Sequence, residues 1–203
     1  MALETTPATA FFGGIELAVA PGRVMIPRPT TEALVDLALE RARRPGALVA
    51  DVGTGSGAVA VALAVAAPEA RIWATDTSAD AVQLAEENAR RHGVSDRVVV
   101  RRGDLLDPTA GPFDVIVANL PYLPASEHAA HPDLVGEPTA AVFAPGDGLG
   151  HYRRLLHQAW HRLRPDGLVL VQVRGRIVGA ERAGLHRLAA LLADGPDALL
   201  EAA

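Results

Sequence analysis

Ala47-Leu-Val-Ala-Asp51-Val-Gly53-Thr-Gly55-Ser-Gly57-Ala58 is the stretch from which the rest of the chain can be ordered. Its first half, Ala47–Val52, is a near-continuous apolar run, the pattern of a strand buried on both faces. Three glycines follow, and they let the backbone turn sharply and approach a ligand closely. An apolar helix then runs through Ala67 and stops at Pro68. The stretch also satisfies Gly-x-Gly-x-x-Ala through Ala58, so a dinucleotide loop and a plain tight turn are both candidates. Moving outward, Arg71–Thr75 is a strand closed by Asp76. Ser78 or Asp80 opens a helix that reaches His92 and is stopped by Gly93. Arg97–Arg101 is a strand closed by Gly103-Asp104, and Phe113–Ala118 is a strand leading into Asn119. This alternation predicts an α/β domain whose mostly parallel sheet carries helices on both faces.

The flanks are less regular. Phe11–Val19, the Pro21-Gly22 turn and Arg23–Ile26 predict a short β-hairpin behind a frayed start over residues 1–10. Thr30 or Thr31 can cap a helix beginning near Glu32, with Leu34, Val35, Ala38 and Leu39 as its apolar stripe. The chain therefore divides into residues 1–27, a tail and hairpin, and residues 28–203, the α/β domain. Residues 123–147 show no period and predict a long functional loop. Gly150–Arg164 is a predicted helix, Pro165-Asp-Gly167 a turn and Leu168–Val173 a strand. Ala180–Ala193 is a predicted last helix, and no antiparallel closing strand is expected.

Bulk properties exclude several functions. The formal charge is -5 with pI ≈ 5.8, so no global field draws the chain to nucleic acid, and the paired arginines are expected at solvated element ends. There is no cysteine, hence no disulfide, thiol nucleophile or thiolate metal site. His157 and His161 share a helix face with no acidic third ligand, so a solvated face is expected and no metal site. All 19 basic residues are arginine, a bias that points to a GC-rich bacterial genome. No apolar run approaches the roughly 18 residues of a membrane span. No secretory leader is recognisable, which makes the cytoplasm the expected location.

Four strand ends carry residues with chemistry. Gly53, Thr54, Gly55, Ser56 and Gly57 form the glycine loop. Asp76 can take both ribose hydroxyls of an adenosine cofactor, or it can cap the next helix. Asp104 can accept from an adenine amino group while Leu105 packs beside the ring. Asn119-Leu120-Pro121-Tyr122 offers two acceptors, the asparagine side-chain oxygen and the Leu120 carbonyl, to a planar –NH₂ group. Pro121 stiffens that loop, and Tyr122 presents a flat face to a planar substrate. The arrangement suits methyl transfer to an amide or exocyclic amine nitrogen. Convergence at the carboxyl ends of parallel strands is where open α/β sheets bind ligands.

Taken in order, Ile26-Pro-Arg-Pro-Thr-Thr-Glu32, Asp51–Gly57, Asp76, Gly103-Asp104, Asn119–Tyr122, Glu137-Pro138 and Asp147–Arg153 resemble the motifs of the HemK/PrmC-like release factor glutamine methyltransferases over residues 11–173. The resemblance implies a Rossmann-like class I methyltransferase fold that uses S-adenosyl-L-methionine. It also implies a protein substrate with an exposed glutamine, a release factor, methylated at the side-chain amide nitrogen. It places Asn119, Leu120, Pro121 and Tyr122 at the acceptor. Gly53, Thr54, Gly55, Ser56, Gly57, Asp76, Asp104, Leu105 and Asn119 fall at the cofactor. The chain departs from the pattern at Leu120, where the family has proline, and at Val171-Gln-Val-Arg-Gly175, where the family has an acidic motif. Only residues 1–10 precede the hairpin, where the family carries a helical domain. Asn-Leu-Pro-Tyr is also similar to the motif of adenine-N6 rRNA dimethyltransferases, so an adenine-N6 RNA or DNA methyltransferase stays open, as does a degenerate cofactor-binding partner protein. A nicotinamide dehydrogenase leaves Asn119–Tyr122 without a task.

Overall fold

Strands that are apolar on both faces need cover on both faces, and the helices between them supply it. The computed structural model of the chain describes residues 8–195 and 198. A hairpin, β1 (Thr9–Phe12) and β2 (Ile15–Ala18), precedes α1 (Glu32–Ala42). Then come β3 (Leu48–Val52), α2 (Ala58–Ala66), β4 (Arg71–Asp76), α3 (Ala79–Arg91), β5 (Val98–Arg102) and β6 (Phe113–Ala118). The next segment holds β7 (Leu123–Pro124), the one-turn α4 (Thr139–Val142) and β8 (Phe143–Ala144). The order ends with α5 (Gly150–Arg162), β9 (Leu163–Val173), β10 (Arg176–Glu181) and α6 (Leu185–Ala193).

The main sheet runs β10-β9-β6-β3-β4-β5, with every pair parallel except β10 on β9. The order reverses at β3, which has β4 on one side and β6 on the other, so the switch-point crevice opens outside the carboxyl ends of β3 and β6. One face packs Val49, Ile72, Ala74, Val115 and Val117 under α1, α2 and α3, together with Phe12 and Leu17 of the hairpin. The other packs Ala50, Val52, Ile116, Ala118, Val169 and Val171 under α5 and α6. The two sets alternate along each strand, as a pleat requires.

The hairpin exists but sits earlier than the sequence predicted. Gly13 and Gly14, both at positive φ (55° and 79°), turn the chain in the middle of the predicted strand Phe11–Val19. Two positive-φ residues at a hairpin tip match the twist of the flanking strands. Pro21-Gly22 lies instead in the loop that follows, and Arg23–Ile26 is no strand. A second correction concerns the end of the sheet. Arg174 and Gly175 (φ 48° and 77°) reverse the chain, and Arg176–Glu181 pairs antiparallel with β9, so a closing strand is present. The last helix starts at Leu185 and not at Ala180. Pro165-Asp-Gly167 is an irregularity inside β9, where Phe113 faces Leu163 but Val115 faces Leu168. The predicted frayed start falls on residues outside the described range as far as residue 7.

One polar side chain fixes the hairpin to α3 and the glycine loop. Asn88 of α3, fully buried, accepts from the Ala18 N–H (2.8 Å) and donates to the Ala18 carbonyl (3.0 Å) and the Ser56 carbonyl (2.8 Å). The glycine loop, α3 and the hairpin thus share one amide.

Candidate active site

Register puts the predicted site residues at one level. Val52 pairs with Thr75 and with Ala118, and Asp76 pairs with Arg102, so Gly53, Asp76, Gly103 and Asn119 emerge together. Gly53 and Thr54 both donate their N–H to the Thr75 carbonyl (2.8 and 2.9 Å), bending the loop back over β4. Gly53 has φ 71°, and a Cβ there would lie 2.6 Å from Leu120 Cδ2, so the side chain of Leu120 rests where only glycine leaves room. Asp51 Oδ2 accepts from Thr54 Oγ1 (2.6 Å) and the Ala60 N–H (3.1 Å), tying the loop to the first turn of α2. Burial pushes the Asp51 carboxyl up to about 6 against these two bonds.

Asp76 is oriented by backbone. Gly55 donates to its Oδ2 (3.0 Å) and Ser78 to its Oδ1 (2.9 Å), while burial raises its pKa. The next helix is capped by Ser78, which accepts from Ala81, leaving the Asp76 carboxylate at the cavity wall. That cavity is about 240 Å³ and is bordered by Gly53, Gly55, Asp76, Asp104, Leu105 and Asn119. Arg23–Met25 close it from the loop after β2, Pro138, Ala140 and Ala141 close it at the start of α4, and His151 borders it from α5. Asp104 is half-exposed and ion-paired to Arg154 of α5. Leu105 adopts φ 48°, its carbonyl held by Thr75 Oγ1 at 2.8 Å. Thr54 and Ser56 border a smaller side cleft behind the loop. Gly57 borders neither: it opens α2 at φ 79°, and its missing Cβ allows Ala85 of α3 to approach, since one there would meet Ala85 Cα at 3.0 Å.

Asn119 borders this cavity, the side cleft and a further chamber of about 380 Å³. Its Nδ2 donates to Thr31 Oγ1 (3.1 Å), and its Oδ1 accepts no hydrogen bond among the described residues. Thr31 was a predicted helix cap but makes no cap bond. The further chamber is bordered by Leu120, Pro121, Tyr122, Arg28, Gln172 and Arg174, among others. Tyr122 is largely buried there, which raises its hydroxyl pKa, while Arg174 and Arg28 pull the other way. Glu137 accepts from the Ile26 N–H and from Arg28 (3.3 and 3.2 Å), binding the 123–147 segment to the strap before α1.

Three residues hold contacts that the sequence did not assign to them: Thr31, Asn88 and Tyr152. Tyr152 is fully buried, and its hydroxyl sits between Leu120 and Gln172. Its helix spacing with Leu155, Leu156 and Ala159 reads as ordinary core. For Asn88 the signal was available: an amide on the same helix face as Ala81, Leu84 and Ala85 must find partners when buried. His157 and His161 lie ring edge to ring face at 5.9 Å on α5.

Comparison with known proteins agrees with this architecture. The family model of the ribosomal protein L11 methyltransferase (PrmA) matches residues 28–123. Release factor glutamine methyltransferase of Gloeobacter violaceus is 42% identical over 177 residues, covering 85% of this chain and 62% of that protein. The Deinococcus radiodurans protein of the same name is 42% identical over 81% of this chain and 59% of its own length. The chain thus spans about 60% of the length of these relatives. Among solved structures, a ribosomal protein L11 methylase from Lactobacillus delbrueckii subsp. bulgaricus superposes with TM-score 0.51 at 29% identity, over 72% of this chain and 61% of that one. TrmN from Thermus thermophilus gives TM-score 0.53 at 26% identity, over 79% and 40%. The chain has the class I methyltransferase fold, and its sequence resembles the release factor glutamine methyltransferases over most of its length. No described helix is long and apolar enough to cross a membrane.

Proposed function

We propose that this chain transfers a methyl group from S-adenosyl-L-methionine to the side-chain amide nitrogen (N5) of a glutamine in a protein, a cytoplasmic release factor. The observation that carries the proposal is the position of Asn119, which borders both the cavity over the glycine loop and the chamber beyond it. A reaction between two bound molecules needs one such junction, and the relatives that share most of this chain are named for glutamine methylation.

The residues at hand fit the cofactor. A loop of close-approaching backbone at Gly53 and Gly55, a carboxylate at Asp76 and an apolar wall at Leu105 suit an adenosine with a short zwitterionic tail. Asp76 would accept from the ribose hydroxyls with lone pairs that Gly55 and Ser78 leave free. Asp104 would face the adenine amino group in competition with Arg154. Thr54 and Ser56 act from behind the loop and Gly57 through the α2–α3 contact. When bound, the cofactor supplies an electrophilic methyl group on a sulfonium.

An amide nitrogen is a poor nucleophile because its lone pair is delocalised. Asn119 Oδ1 and the Leu120 carbonyl would accept its two hydrogens and hold the nitrogen toward the methyl group. Positioning and electrostatics then lower the barrier. Pro121 and Tyr122 would wall the glutamine side chain. No base is required before transfer, because the proton becomes acidic once the nitrogen is methylated.

The test is methyl transfer from labelled cofactor to a purified bacterial release factor, with RNA alongside and Asn119→Ala as the variant. Loss of about a hundredfold or more in kcat, with cofactor affinity changed less, is expected from removing one positioned acceptor. Transfer to adenine instead, or an unimpaired Asn119→Ala, overturns the proposal.

A further inference from the structure

The second position of the Asn119–Tyr122 loop is held from below by α5. Tyr152 Oη accepts from the Leu120 N–H at 2.9 Å, lies 2.7 Å from the Leu120 carbonyl oxygen and lies 2.6 Å from the Gln172 carbonyl oxygen. The phenol has one proton and two carbonyls in reach, so it donates to one at a time while its own lone pair is occupied by Leu120. The Gln172 carbonyl belongs to β9, so a single buried oxygen joins the loop to the sheet. The bond from Leu120 exists because position 120 is not proline, whose nitrogen carries no hydrogen. A proline would fix the backbone through its ring. Leucine leaves φ free, and here both main-chain groups of the residue lie within hydrogen-bond reach of one hydroxyl.

We propose that Tyr152 is the positioning residue of this loop, holding the Leu120 carbonyl at the wall of the acceptor chamber. With its proton turned to Gln172, the hydroxyl leaves the Leu120 oxygen open to an arriving N–H. With its proton turned to Leu120, it satisfies that oxygen while the chamber is empty. The tether stands on the protein's own geometry, whereas its effect on turnover rests on the glutamine-methylation proposal.

Two measurements separate these parts. Amide hydrogen exchange on the wild-type protein should show the Leu120 N–H protected. In Tyr152→Phe it should exchange about tenfold faster or more, while Gly53 and Gly55 keep their rates. In methyl transfer to a release factor, Tyr152→Phe should lower kcat about tenfold and leave cofactor affinity within about twofold, since about one hydrogen bond's worth of positioning is lost. The same change in a Leu120→Pro background should cost distinctly less, because the N–H it serves is already gone. An unprotected Leu120 amide in the wild-type protein overturns the tether outright. An unchanged kcat per folded molecule, or equal costs in both backgrounds, reduces Tyr152 to a core side chain and overturns the positioning role. If the wild-type protein methylates no glutamine, the functional proposal fails while the exchange result still decides the tether.

Discussion

Replacing Asp51 by asparagine should stabilise the protein at neutral pH. Asp51 is buried beneath the glycine loop, and its carboxyl is raised from 3.8 to about 6, mainly by burial, with Asp76 adding a smaller repulsion. A carboxyl raised on folding favours the native state most below its unfolded value, and that contribution is lost as the pH climbs through about 6. Between pH 4 and pH 8 the ionised group therefore costs the native state up to about 3 kcal/mol, at about 1.4 kcal/mol per tenfold change in proton affinity. Asparagine keeps an oxygen for Thr54 Oγ1 and the Ala60 N–H and carries no charge. Its amide nitrogen takes the place of Oδ1, which accepts no hydrogen bond among the described residues. Allowing for imperfect solvation of that –NH₂, the expected net gain at pH 8 is about 1–2 kcal/mol, or roughly 2–8 °C in Tm for a domain of this size. Thermal unfolding of both proteins from pH 5 to pH 8 checks this. The wild-type Tm should fall relative to the variant as the pH passes about 6, and the two should converge near pH 5. Parallel profiles across that range would refute the raised carboxyl and, with it, the account of the loop's anchoring.

Two further changes probe the same end of the sheet. Asn88→Asp places a carboxylate oxygen against the Ala18 and Ser56 carbonyls in a fully buried site, and should cost about 3 kcal/mol in urea unfolding at neutral pH. The cost should shrink at low pH, where protonation restores one donor. Gly57→Ala meets both a positive φ of 79° and a Cβ contact of 3.0 Å with Ala85, so a loss of about 2 kcal/mol is expected by the same measurement. A neutral Gly57→Ala would mean that α2 and α3 are not in close contact there.

The βα alternation could be read from the sequence because parallel strands buried on both faces leave continuous apolar runs, as at Phe113–Ala118 and Ala47–Val52. Convergence of Gly53, Asp76 and Asn119 followed from it, since each residue closes a strand and parallel strands end at one edge. The hairpin was displaced because Pro21-Gly22 is the stronger turn signal in isolation, while Gly13-Gly14 wins through the fit of its twist to the strands it joins. The closing strand escaped because β10 pairs on one side only and ends in Gly179-Ala-Glu181, a run with little β propensity. The partners of Thr31, Asn88 and Tyr152 were illegible for a different reason, although a buried amide at Asn88 signalled that it needed some. Each acts through partners distant along the chain, from Thr31 to Asn119, Asn88 to Ala18, and Tyr152 to Leu120. No local pattern encodes such a pairing.

Those distant pairings explain why motifs so far apart along the chain occur together. Asn119 is held by Thr31 from the Ile26–Glu32 segment, and Leu120 is held by Tyr152 from the Asp147–Arg153 segment. Glu137 in turn holds Ile26 and Arg28, so the strap that carries Thr31 is itself fixed by the long loop. Arg153 joins Asp147 to the Leu192 carbonyl of α6, which anchors the start of α5 beside Tyr152. The Thr31 and Tyr152 contacts end on the Asn119-Leu120 pair itself, and the others hold the segments that carry those two residues. An acceptor nitrogen must be placed to within a fraction of an ångström for methyl transfer, and a loop of four residues cannot define itself that well. In the proposed methyl transfer the remaining motifs would be the supports that do so. On that proposal, substitutions at Thr31, Glu137 or Tyr152 should act on turnover through Asn119 and Leu120, although none of the three needs to touch the methyl group.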